Sequence, residues 1–215
     1  PPQRVQPPKA FRWVPELNAA PTDAPRSWGA KFRSRHRSTG EFRNFMQAIR
    51  RWQIDPSACT ALQEQALRII AGERISSEAI ILLRALASAD QTAPELYRGI
   101  ATPEAAWAVL HRYPTGSQFD LGLASFSVQR SWAEEFAWMA KQSEGDTEVL
   151  FALRPGSQSI RIDVLAPDDV HWREREWYTG GRFAVLNTRV LSGPKVEIII
   201  EQTGVYDVQA DASPR

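Results

Sequence analysis

The sequence predicts an α+β fold built on a mixed or antiparallel sheet and preceded by a small helical region. Two patterns carry this expectation. Residues 41–90 repeat apolar side chains every three to four positions, as helices with one buried face do. From Pro94 onward short apolar strands dominate, with few helices and no regular strand–helix alternation, which excludes a doubly wound parallel sheet. The composition, 43% hydrophobic and 24% charged over 215 residues, is that of an ordinary globular chain.

Residues 1–40 are rich in Pro, Arg, Ser and Ala, and Pro1, Pro2, Pro7, Pro8, Pro15, Pro21 and Pro25 block regular structure. Phe11, Trp13, Trp28 and Phe32 are large apolar groups, so this arm is expected to pack partly on the body. Phe42, Phe45, Met46, Ile49 and Trp52 then form the apolar face of a first helix. Asp55-Pro56-Ser57 stops it and caps a second, with Leu62, Ala66, Leu67 and Ile70, that runs to Gly72. Ser76 or Ser77 caps a third, carrying Ile80, Ile81, Leu83, Leu86 and Ala87. Together they form an N-terminal helical region at 41–92.

The main body is expected at 93–208, with a short tail at 209–215. It starts with a strand at Leu96-Tyr97-Arg98-Gly99. Thr102-Pro103-Glu104 reads as a helix start, Thr as N-cap and Pro at the first helical position, for a helix through Trp107 and Leu110. After a Tyr113–Gly116 loop, Ala124-Ser125-Phe126-Ser127 is a strand. Ser131 is expected to cap a helix through Trp132, Phe136 and Met139, with Trp132 and Phe136 packed in the core. Glu148–Leu153 and Ser159–Ile162 are strands, the first ended by Arg154-Pro155-Gly156. Two more, around Arg182–Leu191 and Lys195–Gln202, are joined by a Ser192-Gly193-Pro194 turn.

Cys59 is the single cysteine, so no internal disulfide can form and packing must supply stability. With only His36, His111 and His171 beside it, no metal site is expected. No apolar run approaches the ~20 residues that span a bilayer, and no membrane partner is expected. The chain starts at Pro1-Pro2-Gln3-Arg4 without an initiator Met or an apolar signal stretch, and is expected to be a piece of something longer. Net charge is +1, but Arg4, Lys9, Arg12, Arg26, Lys31, Arg33, Arg35, Arg37, Arg43, Arg50 and Arg51 face only Glu16, Asp23 and Glu41 near the N-terminus. Such a leader is a solvated arm or a binder of nucleic acid or an acidic partner.

Glu174-Arg175-Glu176 precedes Trp177-Tyr178-Thr179-Gly180-Gly181. In an extended segment the two carboxylates point to one side, and like charges so close do not ionise independently. In isolation such a pair is the ordinary solvated face of a strand. Here it stands third in a series after Tyr97-Arg98-Gly99 and Ser125-Phe126-Ser127.

That ordered set resembles the Arg–Ser–Glu class of mono-ADP-ribosyltransferases, which includes arginine-modifying bacterial toxins and effectors. The likeness covers about residues 93–205, including Trp132–Ala137 after the second motif and the Thr179-Gly180-Gly181 glycine turn and strand after the third. It implies an ADP-ribosyltransferase-like split sheet with flanking helices. It also implies NAD as the substrate whose ADP-ribose is transferred, with release of nicotinamide. Splitting the nicotinamide–ribose bond develops positive charge on the ribose, which a preorganised anion stabilises. Glu176 matches the family's catalytic glutamate. Glu174 matches the residue of acceptor choice: a carboxylate there can hold a guanidinium and take its proton, so it points to a protein arginine. Relatives that modify asparagine or DNA bases often carry Gln at that place. The resemblance assigns Arg98 to the NAD phosphates, whose oxygens its planar fork suits. It gives Gly99 a close backbone approach to the nicotinamide amide, Ser125 the orientation of Glu176, and Ser127 a support role. Phe126 departs from the small residue usual between the serines and is expected in the core. The nicotinamide-stacking residue stays unassigned. Asp163 to Trp172 would be the target-reading loop, with Trp172, Trp177 and Tyr178 either a recognition patch or packing beneath it.

A toxin or effector domain acting in the cytoplasm of a target cell follows from the resemblance, delivered by a secretion system or phage, with an immunity protein as a further partner. The alternatives are ADP-ribosylation of RNA or another nucleic acid, NAD hydrolysis without an acceptor, and a non-catalytic phage or secretion-associated binding module.

Overall fold

A computed structural model describes residues 41–69, 73–89, 93–162 and 176–206. The arm at 1–40, the tail at 209–215, Ile70, Gly72, Glu174 and the Asp163–Trp172 loop lie outside the described residues.

Among the described residues three helices come first. Helix α1 spans Glu41–Ile54 and buries Phe45, Ala48, Ile49 and Trp52, the face its periodicity marks. Asp55 then accepts hydrogen bonds from the backbone N–H groups of Ser57 (3.0 Å) and Ala58 (3.2 Å), with Pro56 in the first turn of α2, Pro56–Arg68. Leu62 and Ala66 of α2 are buried, while Leu67 faces outward. Ser76, not Ser77, caps α3, Ser77–Ala87, by accepting from Ala79 N–H at 3.2 Å.

Six strands follow among the described residues: β1 Leu96–Thr102, β2 Gln118–Ser127, β3 Thr147–Leu153, β4 Ile160–Arg161, β5 Glu176–Val190 and β6 Lys195–Gly204. Their order is β2-β1-β3-β6-β5-β4, with β2 also paired to β5. Only β3 and β6 run parallel, so the sheet is mixed. The 15-residue β5 makes the split: Glu176–Ala184 pairs with β2, and Arg182–Val190 pairs with β6. The strands thereby close on themselves.

Several boundaries differ from the sequence expectation. Thr102 is the end of β1, paired with Thr147, and its hydroxyl accepts from Glu104 N–H at 3.3 Å. The following helix α4, Ala106–Arg112, therefore starts later, after Ala105. Helix α5, Arg130–Met139, starts after Gln129 without a side-chain cap, so Ser131 lies inside it. Its buried residues are Ala133 and Ala137, whereas Phe136 and Met139 are exposed, because only small side chains fit between α5 and β1. Thr179-Gly180-Gly181 is not a turn but lies within β5. Gly181 has φ +125°, and a Cβ there would meet Gly204 O at 2.1 Å. Strand β2 extends back to Gln118, and β4 shortens to Ile160–Arg161.

Two apolar clusters result. One joins Phe45, Ile49, Trp52, Leu82, Leu83 and Leu86 of the helices to Leu123, Ile160 and Tyr178 of the sheet and to Ile162 just after β4. The other lies among Leu96, Phe126, Phe151, Trp177, Phe183, Ile198 and Ile200. Successive residues of a strand point to opposite faces, so Trp177 and Tyr178 enter different clusters.

Candidate active site

Strand register brings the separated motifs together. Tyr97 of β1 pairs with Ser127 of β2, and Ser127 pairs with Glu176, the first residue of β5. Ser125 pairs with Tyr178 in the same ladder. Residues opposite one another share a face, and on this one Ser125, Glu176 and Tyr178 meet Trp52 of the helical region. Phe126 and Trp177, also paired, point to the other face and are buried there.

Glu176 is only 9% exposed. Its Oε1 accepts a hydrogen bond from the Ser125 hydroxyl at 2.5 Å. The indole Nε1–H of Trp52, from α1, is shared between Ser125 Oγ at 2.9 Å and Glu176 Oε1 at 3.3 Å. An indole nitrogen only donates, so Ser125 Oγ accepts from Trp52 and its own hydrogen remains for Glu176. Two neutral donors thus converge on one carboxylate oxygen.

Arg98 donates from Nη1 to the Ser125 carbonyl at 2.9 Å, which fastens β1 to β2 beside Glu176. Burial lowers the pKa of its guanidinium, while the Cys59 thiol and the Glu176 carboxylate act against that. Cys59, partly exposed on α2, belongs to the same neighbourhood. Burial and the Glu176 charge push its thiol up to about 11 against the pull of Arg98.

The remaining assignments divide. Ser127 is buried, and its hydroxyl accepts from Gln129 N–H at 3.0 Å, shaping the turn into α5. At Gly99 a Cβ would meet the Ala133 carbonyl oxygen at 1.7 Å, so close packing of α5 on β1 requires glycine there. Trp177 and Tyr178 are buried rather than displayed as a recognition patch. The Tyr178 hydroxyl donates to Leu82 O at 3.1 Å, and burial holds its pKa well above the usual value. Glu174 and Trp172 lie outside the described residues. Among the described residues no group of three or more His, Cys, Asp or Glu side chains gathers as metal ligands do.

Sequence reasoning missed Trp52 and Cys59 as site residues. Periodicity shows Trp52 on the buried face of α1 and nothing about its N–H. The available signal is chemical: a buried indole N–H needs an acceptor, and an apolar helix face offers none.

No protein-family model and no curated protein sequence matches the chain. Solved structures do resemble it in fold. The Vis toxin, an ADP-ribosyltransferase from Vibrio splendidus, superposes with a TM-score of 0.51 at 16% identity, covering 91% of each chain. Vis in complex with agmatine gives 0.51 at 16% identity, covering 90% of this chain and 89% of that one. An ADP-ribosyltransferase from Clostridium botulinum gives 0.52 at 13% identity, covering 89% of this chain and 96% of that one. The fold is therefore that of the ADP-ribosyltransferases, a mixed split sheet with flanking helices.

Proposed function

We propose that this chain is a mono-ADP-ribosyltransferase of the Arg–Ser–Glu class that moves ADP-ribose from NAD to a protein arginine and releases nicotinamide. The observation that carries the reading is the convergence of Ser125 and Trp52 on Glu176 Oε1, with Arg98 hydrogen-bonded to the backbone of the same serine. A carboxylate oriented in this way before substrate arrives costs no reorganisation when charge develops.

In this reading Arg98 engages the NAD phosphates with guanidinium donors not used on Ser125 O. Glu176 faces the nicotinamide-bearing ribose and stabilises its cation as the C–N bond breaks, nicotinamide leaving with the bonding electrons. Glu174 holds the acceptor guanidinium, whose nitrogen lone pair forms the new bond to the ribose carbon while Glu174 takes the displaced proton. Agmatine, found with Vis, is a small guanidinium compound, and its complex supports a guanidinium acceptor on this fold. The Vibrio splendidus neighbour is a toxin, which supports a toxin or effector role here.

Incubation of the protein with labelled NAD and a cell lysate tests the acceptor. Label is expected on protein, resistant to nuclease and absent with Glu176→Ala. Glu174→Gln is expected to lose arginine transfer while NAD hydrolysis survives. Nuclease-sensitive label would replace the arginine acceptor with RNA, and equal loss of both reactions in Glu174→Gln would remove the acceptor role.

A further inference from the structure

We propose that Trp52, in the helical region outside the three motifs, is a positioning residue for the reaction, setting the direction of the Ser125 hydroxyl and the carboxylate of Glu176. This rests on the transferase reading above. Trp52 is 4% exposed, and its one polar hydrogen is directed at two side-chain atoms of the site. Without the indole donor, the Ser125 hydroxyl is no longer obliged to spend its single hydrogen on Glu176.

The ring is itself held in place. It packs against Tyr178 with centroids 6.2 Å apart, and Tyr178 is tied to α3 through Leu82 O. The neighbouring Arg51 makes bonds of 2.8 Å to both carboxylate oxygens of Glu78 on α3. Asp55 N–H donates to Arg51 O at 3.0 Å just where α1 turns into α2. Helix packing thus delivers the indole N–H to a fixed point over β2 and β5, and the helical region becomes part of the reacting apparatus.

Two measurements test this. In Trp52→Phe, which keeps an aromatic ring, kcat for nicotinamide release is expected to fall about 10–100-fold, the effect of one hydrogen bond to a charged group, with KM for NAD changed less than about threefold. In the double variant with Ser125→Ala, the loss is expected to be clearly smaller than the product of the two single losses, because part of the effect of Trp52 passes through the Ser125 hydroxyl. Multiplicative losses, or an unchanged kcat in Trp52→Phe, would overturn the role. The second measurement leaves Trp52 intact and needs no turnover. Its indole N–H resonance, one of those from eight tryptophans, is assigned through contacts to the Tyr178 ring. It is expected to move in Ser125→Ala and in Glu176→Gln, and a resonance indifferent to both would also overturn the proposal. A wild-type protein that releases no nicotinamide, yet whose Trp52 resonance responds to both substitutions, would sink the transferase reading while leaving the hydrogen-bond arrangement standing.

Discussion

Ser125 and Ser127, two residues apart on one strand, hold different posts. Ser125 donates to Glu176, whereas Ser127 accepts from Gln129 N–H at the approach to α5. Ser125→Ala is therefore expected to lower kcat about 10-fold or more with little change in unfolding midpoint. Ser127→Ala is expected to cost about 1 kcal/mol in stability and leave kcat nearly unchanged, read by urea unfolding and by nicotinamide release. Cys59 offers a pH test. With a pKa of about 11, only on the order of one thiol in a thousand is ionised at pH 8. Alkylation of the folded protein should be about 100-fold slower than for a free cysteine at that pH and should rise steadily toward pH 11. Rapid labelling at pH 8 would show that the thiol is not held between burial and the Glu176 charge. The order of motifs singled out Arg98, Ser125 and Glu176, and strand pairing brings those three together. Trp52 and Cys59 were not legible in the sequence, because they sit on α1 and α2 and reach the site only through packing.

Elements were legible where the signal is local. Asp55-Pro56-Ser57 marks a helix start because the cap bonds span two and three residues. The Thr102-Pro103 signal failed because Thr102 is claimed by pairing with Thr147, a partner far along the chain. Burial on α5 failed for a similar reason. The spacing of Trp132 and Phe136 suggests a core face, but the backbone of β1 approaches so closely that only Ala133 and Ala137 fit. Gly99 is the counterpart of those alanines. Gly99→Ala places a Cβ against the Ala133 carbonyl and is expected to destabilise by about 3 kcal/mol, seen as a fall of several degrees in Tm. An unchanged Tm would mean that α5 can lift off β1 without cost.

For the molecule as a whole, a mixed or antiparallel sheet could be read from strand spacing, but the parallel β3–β6 pair that makes it mixed, and its closure, could not. Closure depends on β5 pairing with β2 along one half and β6 along the other, and no local pattern encodes those partners. Nor did the sequence reveal that one apolar cluster joins the three N-terminal helices to Leu123, Ile160, Ile162 and Tyr178. That shared core leads us to expect that a chain starting at residue 93 would expose this face and neither fold cooperatively nor release nicotinamide. Whether Glu176 is the anion that faces the ribose cation is tested most simply by nicotinamide release from NAD by the full chain, compared with Glu176→Gln at matched unfolding midpoints. We expect measurable release that falls at least about 100-fold in the variant, since the amide cannot replace the anion facing the ribose cation. Absence of release from the wild type, or equal release from both proteins, would contradict that role for Glu176.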